Sequence, residues 1–275
     1  VADWPISYED LEPYYAKVER EVGVSGRVVP HPHLEPRSTP DFPYPPTQEH
    51  PIAGLIDQAC ADLGWHAIPT ARAILSQPAH GRGGCSYNGY CGSYGCATGA
   101  KGGARAALID RAVAGGRCEV RAHSMVARLV SDRTGKVSAA EYFDQNGVRR
   151  RVTARVYVVA RQAIESARLL LRSTGPRHPR GLANGSGQVG RNLLFAAGGA
   201  GSGRLNYKKF GEPIREFGTF VNRALQDWYV IDDPAYGPRQ KGGTVDFVHA
   251  HPAPIARATG QIRRGGRLLW GAELK

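Results

Sequence analysis

No apolar run in the 275 residues reaches the roughly 18 positions that a membrane-crossing helix needs. The opening residues Val1-Ala2-Asp3-Trp4 also lack the basic start and long apolar stretch of a secretion signal. Acidic residues are in short supply: 24 Asp plus Glu stand against 36 Lys plus Arg, a formal net charge of +12. Because the arginines are scattered from Arg20 to Arg267, this charge describes a solvated basic surface that can meet an acidic partner better than it describes a nucleic-acid-binding stripe. The G-x-S-x-G, H-E-x-x-H and Walker motifs are missing, and with them the usual signatures of serine hydrolases, zinc proteases and P-loop enzymes. No internal repeat is visible, so a solenoid or propeller is excluded. A strand-GxGxxG-helix fingerprint is absent too. The nearest string, "GSGQVG" from Gly185 to Gly190, follows no expected strand and has its glycines spaced for a loop.

What remains is a globular composition, 41% hydrophobic and 22% charged, long enough for one large domain or two interleaved ones. In "WPISYEDLEPYYAKVEREVG", Ser7 can cap a helix with Asp10 three residues on, Pro13 suits the first turn, Leu11, Tyr14 or Tyr15, Val18 and Val22 share a face, and Gly23 stops it. A proline-rich passage from Pro30 to Pro78 wraps a surface rather than building a sheet, apart from a helix near Ile52–Leu63 with Leu55, Ile56 and Ala59 on its apolar face. "GARAALIDRAVAGG" reads as a helix ending at Gly115, and "CEVRA" as a short buried strand. The stretch from Ser124 to Ala160 alternates and turns at Thr134-Gly135 and Asn146-Gly147, a three-stranded meander. Its last piece, "ARVYVVA", is more continuously apolar and runs into a helix, "AIESARLLLRS". Helix, strand, meander, strand and helix together make an α/β unit, or a mixed α+β one, with a β-meander inserted in a crossover. Beyond Asn206, short apolar runs such as "FGTFV" and "TVDFVHAH" read as strands and short helices of a second domain.

Three of the five cysteines fall in "CSYNGYCGSYGC", at Cys85, Cys91 and Cys96. An odd count with local clustering suits a metal or redox site better than a disulfide framework in a chain of this length. The competing reading is a reduced or disulfide-bonded loop packed by Tyr87, Tyr90 and Tyr94. Cys60 and Cys118 read as small buried hydrophobes. His249 and His251 alternate in "FVHAHP" as on one face of a strand, an arrangement that suits a metal or catalytic pair but is more often structural.

Several of these segments, in this order, resemble the glucose-methanol-choline flavoprotein oxidoreductases, in particular the large subunits of bacterial sugar and polyol dehydrogenases. The residues that carry the likeness are "DWPISYEDLEPYY", "GAKGGARAALIDRAVAGGRCEVRAHSMVARLVSD", "VVARQAIESARLLLRSTG" and "VGRNL". The second signature differs from the family's usual form: Arg161-Gln162-Ala163 stands for a small Ala-Gly-Ala turn, and Ala167 for a proline. The resemblance implies a partial FAD-binding Rossmann-like domain with an inserted β-meander, plus part of an antiparallel-sheet substrate domain. It divides the chain into a helix and proline-rich wrapping segment (1–80), a cysteine-rich loop (81–102), part of the FAD-binding domain (103–195) and part of the substrate domain (196–275). It also places Val126 against the flavin adenine, with Ala163, Gly190 and Asn192 as further cofactor contacts.

By the same resemblance the activity is FAD-dependent oxidation of the CH-OH group of a sugar, polyol or related alcohol, with electrons passing to an external acceptor such as a cytochrome subunit. A periplasmic or membrane-associated location through that partner goes with it. The catalytic histidine and the dinucleotide fingerprint have no counterpart here, so the chain reads as a central fragment that should not hold flavin alone. Cys85, Cys91 and Cys96 fall where this branch can carry an iron-sulfur cluster. Three thiolates match a [3Fe-4S] cluster, one iron each, whereas structural zinc asks for four ligands. The alternative is a basic zinc-binding module that contacts nucleic acid, with His80 as the fourth ligand.

Overall fold

The computed structural model describes residues 4–88, 95–196, 198–203, 206, 209, 220–237 and 240–249. Contacts divide the chain into two units: Val1–Cys118 with Arg204–Lys275, and the continuous stretch Glu119–Gly203. Both mix helical and extended segments, and every sheet among the described residues is antiparallel. No helix among them is long and apolar enough to cross a membrane.

In the first unit, α1 (Tyr8–Val22) opens on a reciprocal cap in which Asp10 N–H donates to Ser7 Oγ and Ser7 N–H donates to Asp10 Oδ2. Because the helix starts at Tyr8, Pro13 lies inside it rather than in its first turn, and the bond its missing N–H would have made to the preceding turn is lost. Of this helix only Ala16 is buried; Tyr14, Tyr15 and Val18 are exposed, so the expected apolar face is not the one that packs. Gly23 ends the helix at φ +85°, and a Cβ there would come within 2.5 Å of Leu75 Cδ2. A left-handed backbone and a crowded neighbour both require glycine.

The proline-rich segment folds back along α1. Arg37 forks onto Glu19 at 2.9 and 2.6 Å and stacks on the Phe42 ring at 4.2 Å, while Ser38 donates to Glu12 from its N–H and its hydroxyl. Next, α2 (Ile52–Asp62) buries Ile52, Ala53 and Cys60, with Leu55 and Ile56 partly buried against Val221 and Phe247. A three-stranded sheet of order β1 (Ala67–Pro69), β5 (Phe220–Leu225), β8 (Val245–Val248) joins chain segments that are far apart in sequence. A single π turn at Arg105–Ile109 leads into α3 (Asp110–Ala114), and β6 (Val230–Ile231) pairs with β7 (Gln240–Lys241).

The second unit is a meander, β2 (Met125–Ser131), β3 (Val137–Phe143) and β4 (Arg149–Val152), covered by α4 (Gln162–Arg172). Its two turns have the same chemistry: Asp132 and Asp144 each accept backbone N–H groups two and four residues on, and Gly135 and Gly147 take positive φ. The core is Leu129, Ala140 and Leu169, with Val126, Val137, Tyr157, Val159 and Leu182 around it. Ser173, 1% exposed, joins helix to sheet: its hydroxyl donates to Leu169 O and accepts from Leu129 N–H.

Two expected strands are not in any ladder. Residues 118–122 ("CEVRA") are irregular and exposed, and residues 154–160 ("ARVYVVA") run without strand partners, leaving Val156 75% and Val158 84% exposed while Tyr157 and Val159 turn inward. A strand apolar on both faces needs neighbours on both edges, and the described residues supply none to these segments.

Candidate functional site

In the second unit, the residues assigned to a cofactor fall at opposite ends of α4. Val126 lies on β2 beside a bulge, half-buried on the core, and its carbonyl accepts from Arg161 Nη1 at 2.8 Å. Arg161 is the residue before α4, so Val126 and the start of that helix are adjacent, and Ala163 is exposed in the first turn. Gly190 sits against the other end of the helix: at φ +81°, a Cβ on it would meet Leu171 Cδ1 at 3.2 Å. From Ala163 to Leu171 the helix rises about 12 Å at 1.5 Å per residue. Asn192, also at positive φ, is exposed; its Nδ2 reaches Gln188 Oε1 at 3.4 Å.

Two of the three substituted positions of the second signature, Arg161 and Gln162, account for the local structure at this end. Gln162 holds φ +56°, a backbone that suits glycine and strains other residues. Its Oε1 accepts from Ile164 N–H at 2.7 Å and Arg161 N–H donates to Ser166 Oγ at 3.1 Å, so groups at the helix start are satisfied from within. Arg161 also lies 3.7 Å from Glu165. For FAD the fit is therefore partial. The adenine edge assigned to Val126 is next to the helix start, and its carbonyl already spends one of its two lone pairs on the Arg161 guanidinium. Sequence reasoning registered Arg161 as a departure and missed what its side chain does.

The cysteine-rich loop belongs to the first unit. Its stem is closed by Gly83 N–H donating to Thr98 O at 2.9 Å, and Cys85 N–H donates to Leu75 O at 2.8 Å. Cys85 and Cys96 pack, partly buried, on the same apolar patch of Ile74, Leu75 and Ala100. Cys91 lies outside the described residues. Burial pushes the Cys96 thiol up, but the N–H of Lys101, the Thr98 hydroxyl and the N–H groups of Thr98 and Ala100 outweigh it, and the thiol sits below its ordinary value. Buried Arg82 adds a nearby cation, donating to Val22 O at the end of α1 and to Gly99 O. Among the described residues no three His, Cys, Asp or Glu side chains gather into a metal-binding group.

His80 corrects the zinc alternative. Nε2 lies 3.0 Å from Tyr44 Oη and 3.1 Å from Arg20 O, and Nδ1 lies 3.2 Å from Arg111 Nη1, so neither nitrogen is open to a metal. Cys60 is buried as expected, whereas Cys118 is exposed. His249 follows β8 with its ring 5.0 Å from that of buried His50, and His251 lies outside the described residues.

Residues 44–196 match the family described as GMC oxidoreductase. The chain belongs to this FAD-binding family. It is 37% identical over 84% of its length to 6'''-hydroxyparomomycin C oxidase of Streptomyces lividus, covering 42% of that protein. Over 70% of its length it is 38% identical to paromamine 6'-oxidase of Streptomyces fradiae and 31% identical to the fructose dehydrogenase large subunit of Gluconobacter japonicus, covering 34% and 35% of them. It thus spans well under half the length of each of these relatives.

Proposed function

We propose that this chain is part of an FAD-dependent oxidoreductase that oxidises the CH-OH group of a sugar, polyol or related alcohol. The observation that carries the reading is the family match across residues 44–196, which includes the meander and α4. Relatives named as a paromamine 6'-oxidase and a fructose dehydrogenase large subunit support the substrate class. In this reading the second unit is the partial Rossmann-like portion, and the FAD supplies the hydride-accepting chemistry when bound. This chain's residues position it: Val126 and the start of α4 at the adenine edge, with Ala163, Gly190 and Asn192 along and beyond the helix. Electrons then pass to an external acceptor, a cytochrome-type partner in a dehydrogenase.

The cysteine reading that goes with this function is a thiolate set of Cys85, Cys91 and Cys96 holding a [3Fe-4S] cluster. What supports it is the shared patch under Cys85 and Cys96 and the depressed Cys96 thiol. Iron and acid-labile sulfide analysis of the parent protein tests it, and zinc alone, or no metal, overturns it. The experiment for the main reading is anaerobic mixing of the flavin-loaded parent with paromamine, fructose and 1,2-propanediol. Bleaching of the flavin by at least one is expected; a parent that carries no flavin, or a flavin that none of them reduces, sinks the proposal.

A further inference from the structure

Val126 stands beside a bulge in β2, where the register with β3 shifts between Val126 and Arg128. A bulge interrupts the regular ladder, and the Val126 carbonyl takes a bond from a side chain instead, Arg161 Nη1 at 2.8 Å. The arginine is also fixed at its backbone, whose N–H donates to Ser166 Oγ at 3.1 Å, yet its side chain remains 33% exposed. Glu165 Oε2 lies 3.7 Å from Nη2. A carbonyl oxygen has two lone pairs and a guanidinium five N–H donors, and the bond between them uses one of each. An acceptor and further donors are thus left side by side.

Stability alone gives little reason for a cation at this position. Arg161 stands just before α4, where the helix dipole disfavours positive charge. The Ile164 N–H in the first turn is already taken by Gln162 Oε1 at 2.7 Å, so a ligand arriving here meets the guanidinium rather than that amide. An acceptor beside a donor is also what the amide of Asn or Gln offers to adenine, whose N6 amino group donates and whose N7 accepts. Hypoxanthine carries an oxygen in place of that amino group and would face the carbonyl acceptor to acceptor. A planar, weakly hydrated guanidinium suits the flat edge of a base.

We infer that Arg161 is a base-specificity residue: its guanidinium, held by the Val126 carbonyl, donates to a ring nitrogen of the adenine, while the remaining lone pair of that carbonyl accepts from the amino group. This rests on the proposed FAD site in taking Val126 as the adenine edge. What it adds is the arginine, which stands where the family's second signature has a small residue.

The test is calorimetric titration of the flavin-stripped parent protein with FAD and with its hypoxanthine analogue, in which oxygen replaces the adenine amino group. The parent should bind FAD at least about tenfold more tightly than the analogue. Arg161→Ala should weaken FAD about tenfold and the analogue less than about threefold, narrowing the preference at least about threefold. Arg161→Met, which keeps most of the side chain's length without its donors, should do the same. Because the preference is a ratio of two ligands on one protein, partial misfolding of a variant leaves it unchanged. Equal weakening of both compounds would assign the guanidinium to a phosphate or to the fold and overturn the inference, as would unchanged FAD affinity in the variants or a parent that binds both compounds alike. A parent that binds neither would sink the FAD reading itself, and the inference with it.

Discussion

The two units are held together in opposite ways. In Glu119–Gly203 the strands that pair are neighbours in sequence, joined by two turns of the same Asp-x-x-Gly form, and one apolar cluster lies under one helix. In the first unit the partners are remote: Arg223 meets Asp57 across 166 residues, Arg72 meets Asp246 across 174, and His66 meets Asp227 across 161. Two of these long-range contacts are ion pairs, each a fork from one guanidinium, and the third is a hydrogen bond between the His66 ring and Asp227. A short-range unit can rest on apolar periodicity and turns. A unit assembled from distant segments needs directional contacts to fix which surface meets which, and a planar guanidinium with several fixed donors provides that specificity.

Replacing the most buried of these arginines should break the comparison hardest. Arg223→Met removes a guanidinium that satisfies Asp57 twice and Glu49 once. Because both carboxylates can turn toward water, the loss should be about 2–3 kcal/mol rather than the full penalty for stranding a buried charge. Tryptophan fluorescence in urea reads this directly, since Trp4, Trp65 and Trp228 belong to the first unit and no tryptophan lies in Glu119–Gly203. An unchanged fluorescence midpoint would mean that the remote pairs are decoration.

In the second unit the equivalent test is Ser173→Ala. It strands the Leu129 N–H under α4, and should cost about 1–2 kcal/mol. Far-UV circular dichroism should record the loss with the tryptophan transition unmoved; a shift in tryptophan alone would contradict the assignment.

The smallest effect concerns Asp227. Burial pushes its carboxyl up, but the His66 side chain and backbone N–H outweigh this and hold it below the usual aspartate value of 3.8. With the folded value depressed, its contribution is complete above about pH 4 and is lost as pH falls through the lower folded value. Asp227→Asn should therefore lower stability slightly in the neutral region, where the contribution is complete, and flatten the acid limb below about pH 4. A variant with an unaltered acid limb would remove Asp227 from the account.

Legibility in sequence follows the same division. The cap of α1, the stop at Gly23 and the two meander turns are local and can be read from a few residues. The apolar run at 154–160 misled because its character looked like a strand buried on both faces, while strand pairing depends on segments elsewhere. At the candidate flavin edge the resemblance drew attention to Arg161 and Gln162 as departures. That Arg161 turns back onto the Val126 carbonyl, and that Gln162 takes a glycine-like backbone, are matters of three-dimensional placement.

The closed stem of the cysteine-rich loop bears on how such proteins can be altered. Gly83 meets Thr98 at its base, Cys85 and Cys96 pack on the apolar patch beneath, and Tyr87 Oη accepts from Gln48 N–H, so several points of the loop are tied to the first unit. Closing a loop twice as long costs only about 0.6 kcal/mol more. Extra length can thus be added between these anchors at little expense to folding, provided that the stem, Cys85, Tyr87 and Cys96 are kept.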